Sequence, residues 1–328
     1  MKNFAGRIAV VTGGGTGMGR ELCIALAGEG CHVAMCDISE VNMAESRKLA
    51  LAAAPEGVRI TTHICDVSSE DQVLAFRDAV VTEHATDHVH LVFNNAGIGG
   101  GGAFVNGDRG EWERTFAVCW YGVYYGCRAF VPLLVKAEEG HVINTSSVNG
   151  FWATLGTTVS HTAYSAAKFA VKGFTEALLT DLANNAPHVK ASVVMPGHIG
   201  TSIALNTSKV LGKHGALEMS AEEVAEVRKR LVAAGMPVGN VPDDDIRAAM
   251  HQRALDFRDK APTTAAQAAQ IILNGVREER WRILVGDDAV RLDQFVREEP
   301  ENAYTDDFLK KVWGAGHLQP ITAARDKT

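Results

Sequence analysis

Short runs of β-branched and other apolar residues alternate with longer stretches of helical periodicity through the first two-thirds of the chain. The runs fall at Arg7 to Thr12, His32 to Cys36, Val58 to Ile64, His88 to Phe93, His141 to Thr145 and Val189 to Met195. A last run, Ile283 to Val285, follows a helical stretch from Thr263 to Val276. Strands apolar on both faces, each followed by a helix, predict a parallel sheet between two helical layers, because a parallel pair needs a crossover and the crossovers cover the sheet. The expected fold class is α/β: a doubly wound, Rossmann-type, seven-stranded parallel sheet in three layers.

The rhythm breaks in two places. Residues 202–262 form a charged, helix-prone insertion with scattered Leu, Val and Met after the sixth strand, which predicts a flexible lid rather than a second domain. Residues 286–328 form a C-terminal extension that sets Phe295, Tyr304, Phe308 and Trp313 among acids. Without an internal repeat or a low-complexity linker, one domain spanning residues 1–328 is expected.

The segment Phe116 to Leu134 has Arg128 as its only charge and meets the length test for a membrane span. Its three tyrosines, Pro132 and its place between strands of one sheet predict a buried or subunit-interface helix instead. It has more apolar surface than one sheet can cover, which predicts a homo-oligomer, dimer or tetramer.

Composition narrows the function classes. The chain is 46% hydrophobic with a net charge of −7, so it is expected to be globular, with no nucleic-acid or membrane partner. The apolar run Ile8 to Val11 is too short for a signal-peptide core. The six cysteines lack CxxC spacing and read as reduced, mostly buried thiols of a cytoplasmic protein. His84, His88 and His90 near Asp87 read as solvated histidines, and no metal site is expected. Asp243 to Asp245 read as capping acids at a helix start.

The chemistry begins at Thr12-Gly13-Gly14-Gly15-Thr16-Gly17-Met18-Gly19, between the first strand and a helix. Glycines let a backbone turn approach a pyrophosphate whose charge meets the helix N-terminus, although the segment alone also suits a plain tight turn. Asp37 ends the second strand, where a carboxylate accepts from a ribose 2′-hydroxyl and repels a 2′-phosphate. Residues 13–19 contain no Lys or Arg, so NAD is favoured over NADP. Asp66-Val67 follows the third strand, Asn94-Asn95-Ala96-Gly97 the fourth, Ser146-Ser147 the fifth and Pro196-Gly197-His198-Ile199-Gly200-Thr201 the sixth, while Tyr164 and Lys168 lie four apart on a helix.

With TGxxxGxG, the Asp after the third strand, NNAG, Ser with YxxxK, and PGxxxT in order, the chain closely resembles the short-chain dehydrogenase/reductase family. The resemblance implies Ser147, Tyr164 and Lys168 as catalytic residues. It implies Gly13, Thr16, Gly17, Met18, Asp37, Ile38, Asp66, Val67, Asn95, Ala96, Gly97, Pro196, Gly197, Ile199 and Thr201, with Tyr164 and Lys168, around the dinucleotide. Tyrosine has a reference pKa of about 10, and making it a base near neutrality takes about 3 to 4 kcal/mol of preferential phenolate stabilisation. Lys168 and an oxidised nicotinamide are the expected sources. Ser147 would hold the substrate oxygen, with Ser146 structural.

Two departures from the family pattern stand out. The gap from Ser147 to Tyr164 is long, and Phe151, Trp152 and Leu155 within it predict an apolar substrate wall. Cys119 occupies the position of an asparagine that holds water in the family's proton relay, and a thiol is a far weaker hydrogen-bonding group. His198 is a candidate substrate contact. The activity expected is NAD-dependent interconversion of a secondary alcohol and its ketone on a bulky hydrophobic substrate such as a steroid, terpenoid or aryl alcohol. The alternatives are a catalytically weak NAD-binding scaffold or redox sensor, and an NADP-preferring ketoreductase.

Overall fold

In a computed structural model of the protein, which describes residues 1–154, 160–233 and 235–314, the predicted strands are β1 (Ile8–Thr12), β2 (His32–Asp37), β3 (Ile60–Ile64), β4 (Leu91–Asn94), β5 (Gly140–Thr145) and β6 (Val189–Pro196). After two very short strands, β7 (Ile199–Gly200) and β8 (Thr263–Thr264), the last is β9 (Arg282–Val285). The main sheet runs β3-β2-β1-β4-β5-β6-β9 with every pairing parallel. The order reverses between β1 and β4, and a crevice at such a reversal is where doubly wound sheets bind ligands. β7 and β8 pair with each other and tie the loop after β6 to the chain entering the last crossover. Two residues each carry no periodicity, so the sequence pattern did not reveal them.

Alternation along the strands divides the core. Val10 and Val92 face one helical layer, α3 (Glu70–Glu83), α5 (Gly122–Lys136) and α6 (Thr162–Asn185). Their neighbours Ala9, Val11, Leu91 and Phe93 face the other layer, α1 (Gly17–Gly28), α2 (Glu40–Ala53) and α10 (Ala265–Arg277). Ser39 and Ser69 cap α2 and α3 by accepting backbone N–H groups of Asn42 and Gln72.

The apolar segment belongs to a continuous helical stretch, Arg109–Lys136, the one stretch among the described residues with the length and hydropathy of a membrane span. It comprises α4 (Arg109–Phe116), a π-helical turn at Ala117–Tyr121 and α5. Val118, Val123, Phe130 and Leu134 lie in the core, while Tyr121 is exposed and stacks on Tyr125. All six cysteines are buried and unpaired. The histidine expectation needs correction: His84 and His90 are buried, and burial pushes both down to a pKa of about 4. His90 Nδ1 accepts the Ile8 N–H at 3.1 Å, which fixes it to the sheet edge.

The insertion folds as α7 (Ile203–Val210), α8 (Ala221–Ala233) and α9 (Asp243–Asp259). Val224, Val227 and Ile246 pack with Met219, Leu231 and Met250, so much of its apolar surface is buried within the insertion itself. Asp243 to Asp245 occupy the first turn of α9 behind Pro242 and make no side-chain cap; Asp243 and Asp244 pair with Arg228 and Arg247. The extension forms α11 (Asp287–Glu298) and α12 (Asp306–Gly314). Asp293 is buried against Arg282 of β9 and Arg297.

Candidate active site

The glycine turn follows from backbone sterics. Gly13 and Gly17 have φ of 67° and 55°, in the left-handed region that disfavours side chains. A Cβ on Gly19 would stand 2.0 Å from the Gly13 carbonyl oxygen, so α1 meets the turn too closely for any other residue. The first amides of α1 have no helical partner and face this turn. The Asp37 carboxylate accepts the N–H groups of Gly15 and Ser39 at 3.0 Å each, which holds the turn against the end of β2.

The next strand ends supply Asp66 and Asn95. Burial raises the Asp66 pKa, but Arg114, at 2.7 Å, and Ser68 outweigh it and hold the carboxyl below the usual range. Asn95 Nδ2 donates to the Thr12 carbonyl at 3.0 Å, while its Oδ1 is buried with no partner.

Ser147 follows β5 and accepts the Asn149 N–H at 3.2 Å. Tyr164 and Lys168 lie on one face of α6, with the ammonium 5.5 Å from the phenol ring centre. Ser146 Oγ donates to the Lys168 carbonyl at 2.7 Å, tying α6 to the end of β5. Lys168 Nζ donates to the Thr145 carbonyl at 2.8 Å. Burial pushes the Tyr164 phenol well above its ordinary pKa, Cys119 adds to the rise, and a hydrogen bond from Ser147 opposes it. Burial also lowers the Lys168 pKa.

These groups open on one cavity of about 530 Å³. It is lined by Gly13, Thr16 and Met18 of the turn and by Asp37, Ile38, Asp66 and Val67 after β2 and β3. Asn95, Ala96 and Gly97 follow β4 on the same wall, with Ser147, Tyr164 and Lys168 beside them and Pro196, Gly197, Ile199 and Thr201 after β6. Gly17 lies behind the lining, against Thr201. A wider cavity of about 840 Å³ between α1, α10 and α11 contains none of these residues.

Sequence reasoning missed Arg114, Val118, Asn206, Lys209 and Phe257 in the lining, which also takes in Val210 of the expected lid. The available signal was helical spacing, which puts Ile203, Asn206 and Val210 on one face of α7. Asn206 Nδ2 donates to Thr16 Oγ1 at 3.1 Å, and Thr207 Oγ1 accepts the Gly99 N–H at 3.0 Å, so α7 bridges the two walls.

One other expectation is corrected. Trp152 is buried beside Ala289, Leu292, Phe308 and Val312, with Phe151 packed on the same cluster, so neither lines the cavity. The extension offers them an apolar surface that the sequence pattern did not locate. Leu155 lies outside the described residues. His198 packs on Phe257 with ring centres 4.3 Å apart, its ring bonds the Phe257 carbonyl at 2.7 Å, and it is not among the residues that line the cavity. Cys119 is buried in the π-helical turn and its thiol donates to the Ile98 carbonyl at 3.3 Å.

A crevice at the reversal of a parallel sheet, with a glycine turn on one side and a Ser, Tyr and Lys group on the other, defines a class of dinucleotide-binding α/β proteins. The chain belongs to the short chain dehydrogenase family, whose profile matches residues 7–211, and is an oxidoreductase of that family, which uses NAD(P). SadH of Mycobacterium tuberculosis, named as an oxidoreductase, is 33% identical over 90% of this chain and 92% of its own length. Levodione reductase of Leifsonia aquatica is 30% identical over 68% of this chain and 80% of its own. A short-chain dehydrogenase/reductase of Burkholderia phymatum, crystallised with NAD, superposes with a TM-score of 0.72 at 30% identity, over 92% of this chain and 96% of the other.

Proposed function

We propose that the protein interconverts a secondary alcohol and its ketone with NAD, on a fairly bulky hydrophobic substrate. The observation that carries this is the opening of Ser147, Tyr164 and Lys168 on the same cavity as the glycine turn and Asp37. The residues suit a dinucleotide: the turn leaves no room for side chains at Gly19, and Asn95 Oδ1 awaits a donor. When bound, the nicotinamide takes up or returns hydride at the reacting carbon. Asp37 supports NAD by accepting from ribose hydroxyls and repelling a 2′-phosphate.

Ser147 accepts the Asn149 N–H on one lone pair and keeps its proton to donate to the substrate oxygen. Tyr164 moves the proton at that oxygen. Ketone reduction draws on the neutral phenol that burial already favours, whereas alcohol oxidation needs the phenolate. The positive charge of the oxidised cofactor beside Lys168 would stabilise that phenolate. Val118, Val210 and Phe257 supply an apolar lining for the rest of the substrate. A homo-oligomeric, cytoplasmic protein completes the proposal, supported by the exposed Tyr121 stacked on Tyr125 at the start of α5 and by the buried free thiols.

The test is a screen at 340 nm with NAD and NADP against secondary alcohols and ketones graded by size. Turnover with NAD that improves with apolar bulk is expected. Dinucleotide binding without turnover across the panel would favour a scaffold or redox sensor, and preference for NADP a ketoreductase.

A further inference from the structure

Two residues beyond β5, Ser147 opens a short turn closed by the Gly150 N–H on the Ser147 carbonyl and by the Phe151 and Trp152 N–H groups on the Val148 carbonyl. Asn149 Nδ2 donates to the Trp152 carbonyl at 3.1 Å, and its N–H donates to Ser147 Oγ. At Gly150 a Cβ would lie 2.2 Å from Ser146 Oγ, so the segment is pressed against the catalytic strand end. The external grip on the segment comes from the extension. The Trp152 indole N–H donates to the Ala303 carbonyl at 2.7 Å, and the Ala153 N–H donates to the Tyr304 hydroxyl at 3.1 Å. Arg282 lies over the Phe151 ring at 5.7 Å, and the same guanidinium is paired with Asp293 of α11.

We infer that the C-terminal extension positions Ser147, with Trp152 and Tyr304 as positioning residues that act through Asn149. The extension fixes Trp152, the Trp152 carbonyl fixes the Asn149 amide, and the Asn149 N–H sets which lone pair of Ser147 is occupied and where its proton points. The two gripping positions, Ala303 and Tyr304, lie outside residues 7–211, which match the family profile. This positioning role rests on the alcohol–ketone reading of the site.

The test uses two variants of the full chain, Tyr304→Phe, which removes the hydroxyl alone, and Trp152→Phe, which removes the indole N–H and also shrinks a buried ring. The Tyr304 ring is largely exposed, so Tyr304→Phe is expected to fold normally. With the substrate found in the screen, kcat should fall about three- to tenfold in each, as for one lost hydrogen bond. KM and the NADH dissociation constant should stay within about twofold, and hydrogen exchange at residues 148–154 should quicken in the ligand-free variants. Unchanged exchange overturns the inference, and so does faster exchange with unchanged kcat, which would make the extension a cover only. Absence of turnover in the unmodified protein would defeat the functional reading itself, a result distinct from active protein with indifferent variants.

Discussion

The strand-end half of the cavity and the helical half were built by different rules. Asp37, Asp66, Asn95, Ser147 and Pro196 all stand at or just beyond the carboxyl ends of parallel strands, so the register of the sheet alone brings them to one edge. Asn206, Lys209 and Phe257 reach the same cavity from α7 and α9, where only the docking of a whole helix decides which face looks inward. Chemistry placed by topology tolerates variation around it. Chemistry placed by docking depends on each contact that holds the helix.

The largest effect is expected from removing the group that moves the proton, which helix α6 sets beside the strand ends. Tyr164→Phe should lower turnover by about 10²- to 10⁴-fold, the usual share of a positioned acid or base. Dinucleotide affinity, followed by NADH fluorescence, should be little changed, because the phenol lies at the substrate end. Retention of more than about a tenth of the activity would mean that another group moves the proton.

The C-terminal extension, also placed by the docking of helices, is tested through its anchor in α11. Asp293→Ala leaves the half-buried Arg282 without a carboxylate and should cost about 1–3 kcal/mol in urea unfolding, the range for a charged group left unsatisfied. Burial raises the Asp293 pKa, but Arg282 and Arg297 outweigh it and hold the carboxyl below its ordinary value. The folded protein therefore binds fewer protons there than the unfolded chain, and this contribution is present above the unfolded pKa and lost as pH falls through the folded one. Melting followed from neutral pH into acid should show a shallower fall for Asp293→Ala than for the unmodified protein. Parallel curves would remove Asp293 as the source.

The same contrast explains what the sequence disclosed. Alternation and β-branched runs located the main strands, and the polar residue after each apolar run located its share of the site. The place of the Asp37 carboxylate is legible in the sequence because a strand end leaves it one direction to face. Trp152 shows the limit: it follows a catalytic serine and is apolar, so it reads as a substrate wall, yet its partners Leu292 and Phe308 lie far along the chain. Burial of the extension against the Ser147 loop is a long-range packing event with no local periodicity to announce it. The histidines failed for the same reason, since His84 and His90 are polar in sequence but are satisfied by Thr61 and Ile8 across the sheet.

Cys119 probes the boundary between the two halves and carries the smallest expected effect. It belongs to a helix, yet a Cβ on Gly97 would lie 3.8 Å from its sulfur and 3.6 Å from Lys168 Nζ, which places the thiol beside the buried amine. The π-helical turn that holds it replaces the usual bond by one from the Gly122 N–H to the Ala117 carbonyl, a local irregularity often found at functional positions. The thiol donates to the Ile98 carbonyl and offers water only a weak acceptor. Proton exchange between Lys168 and solvent should then limit turnover. Cys119→Asn supplies an amide that can keep the Ile98 bond and also hold a water, so kcat should rise about two- to fivefold, the scale of one hydrogen bond. The solvent deuterium isotope effect should shrink with it. Unchanged turnover together with an unchanged pH–rate profile would show that the proton leaves by a route the thiol does not obstruct.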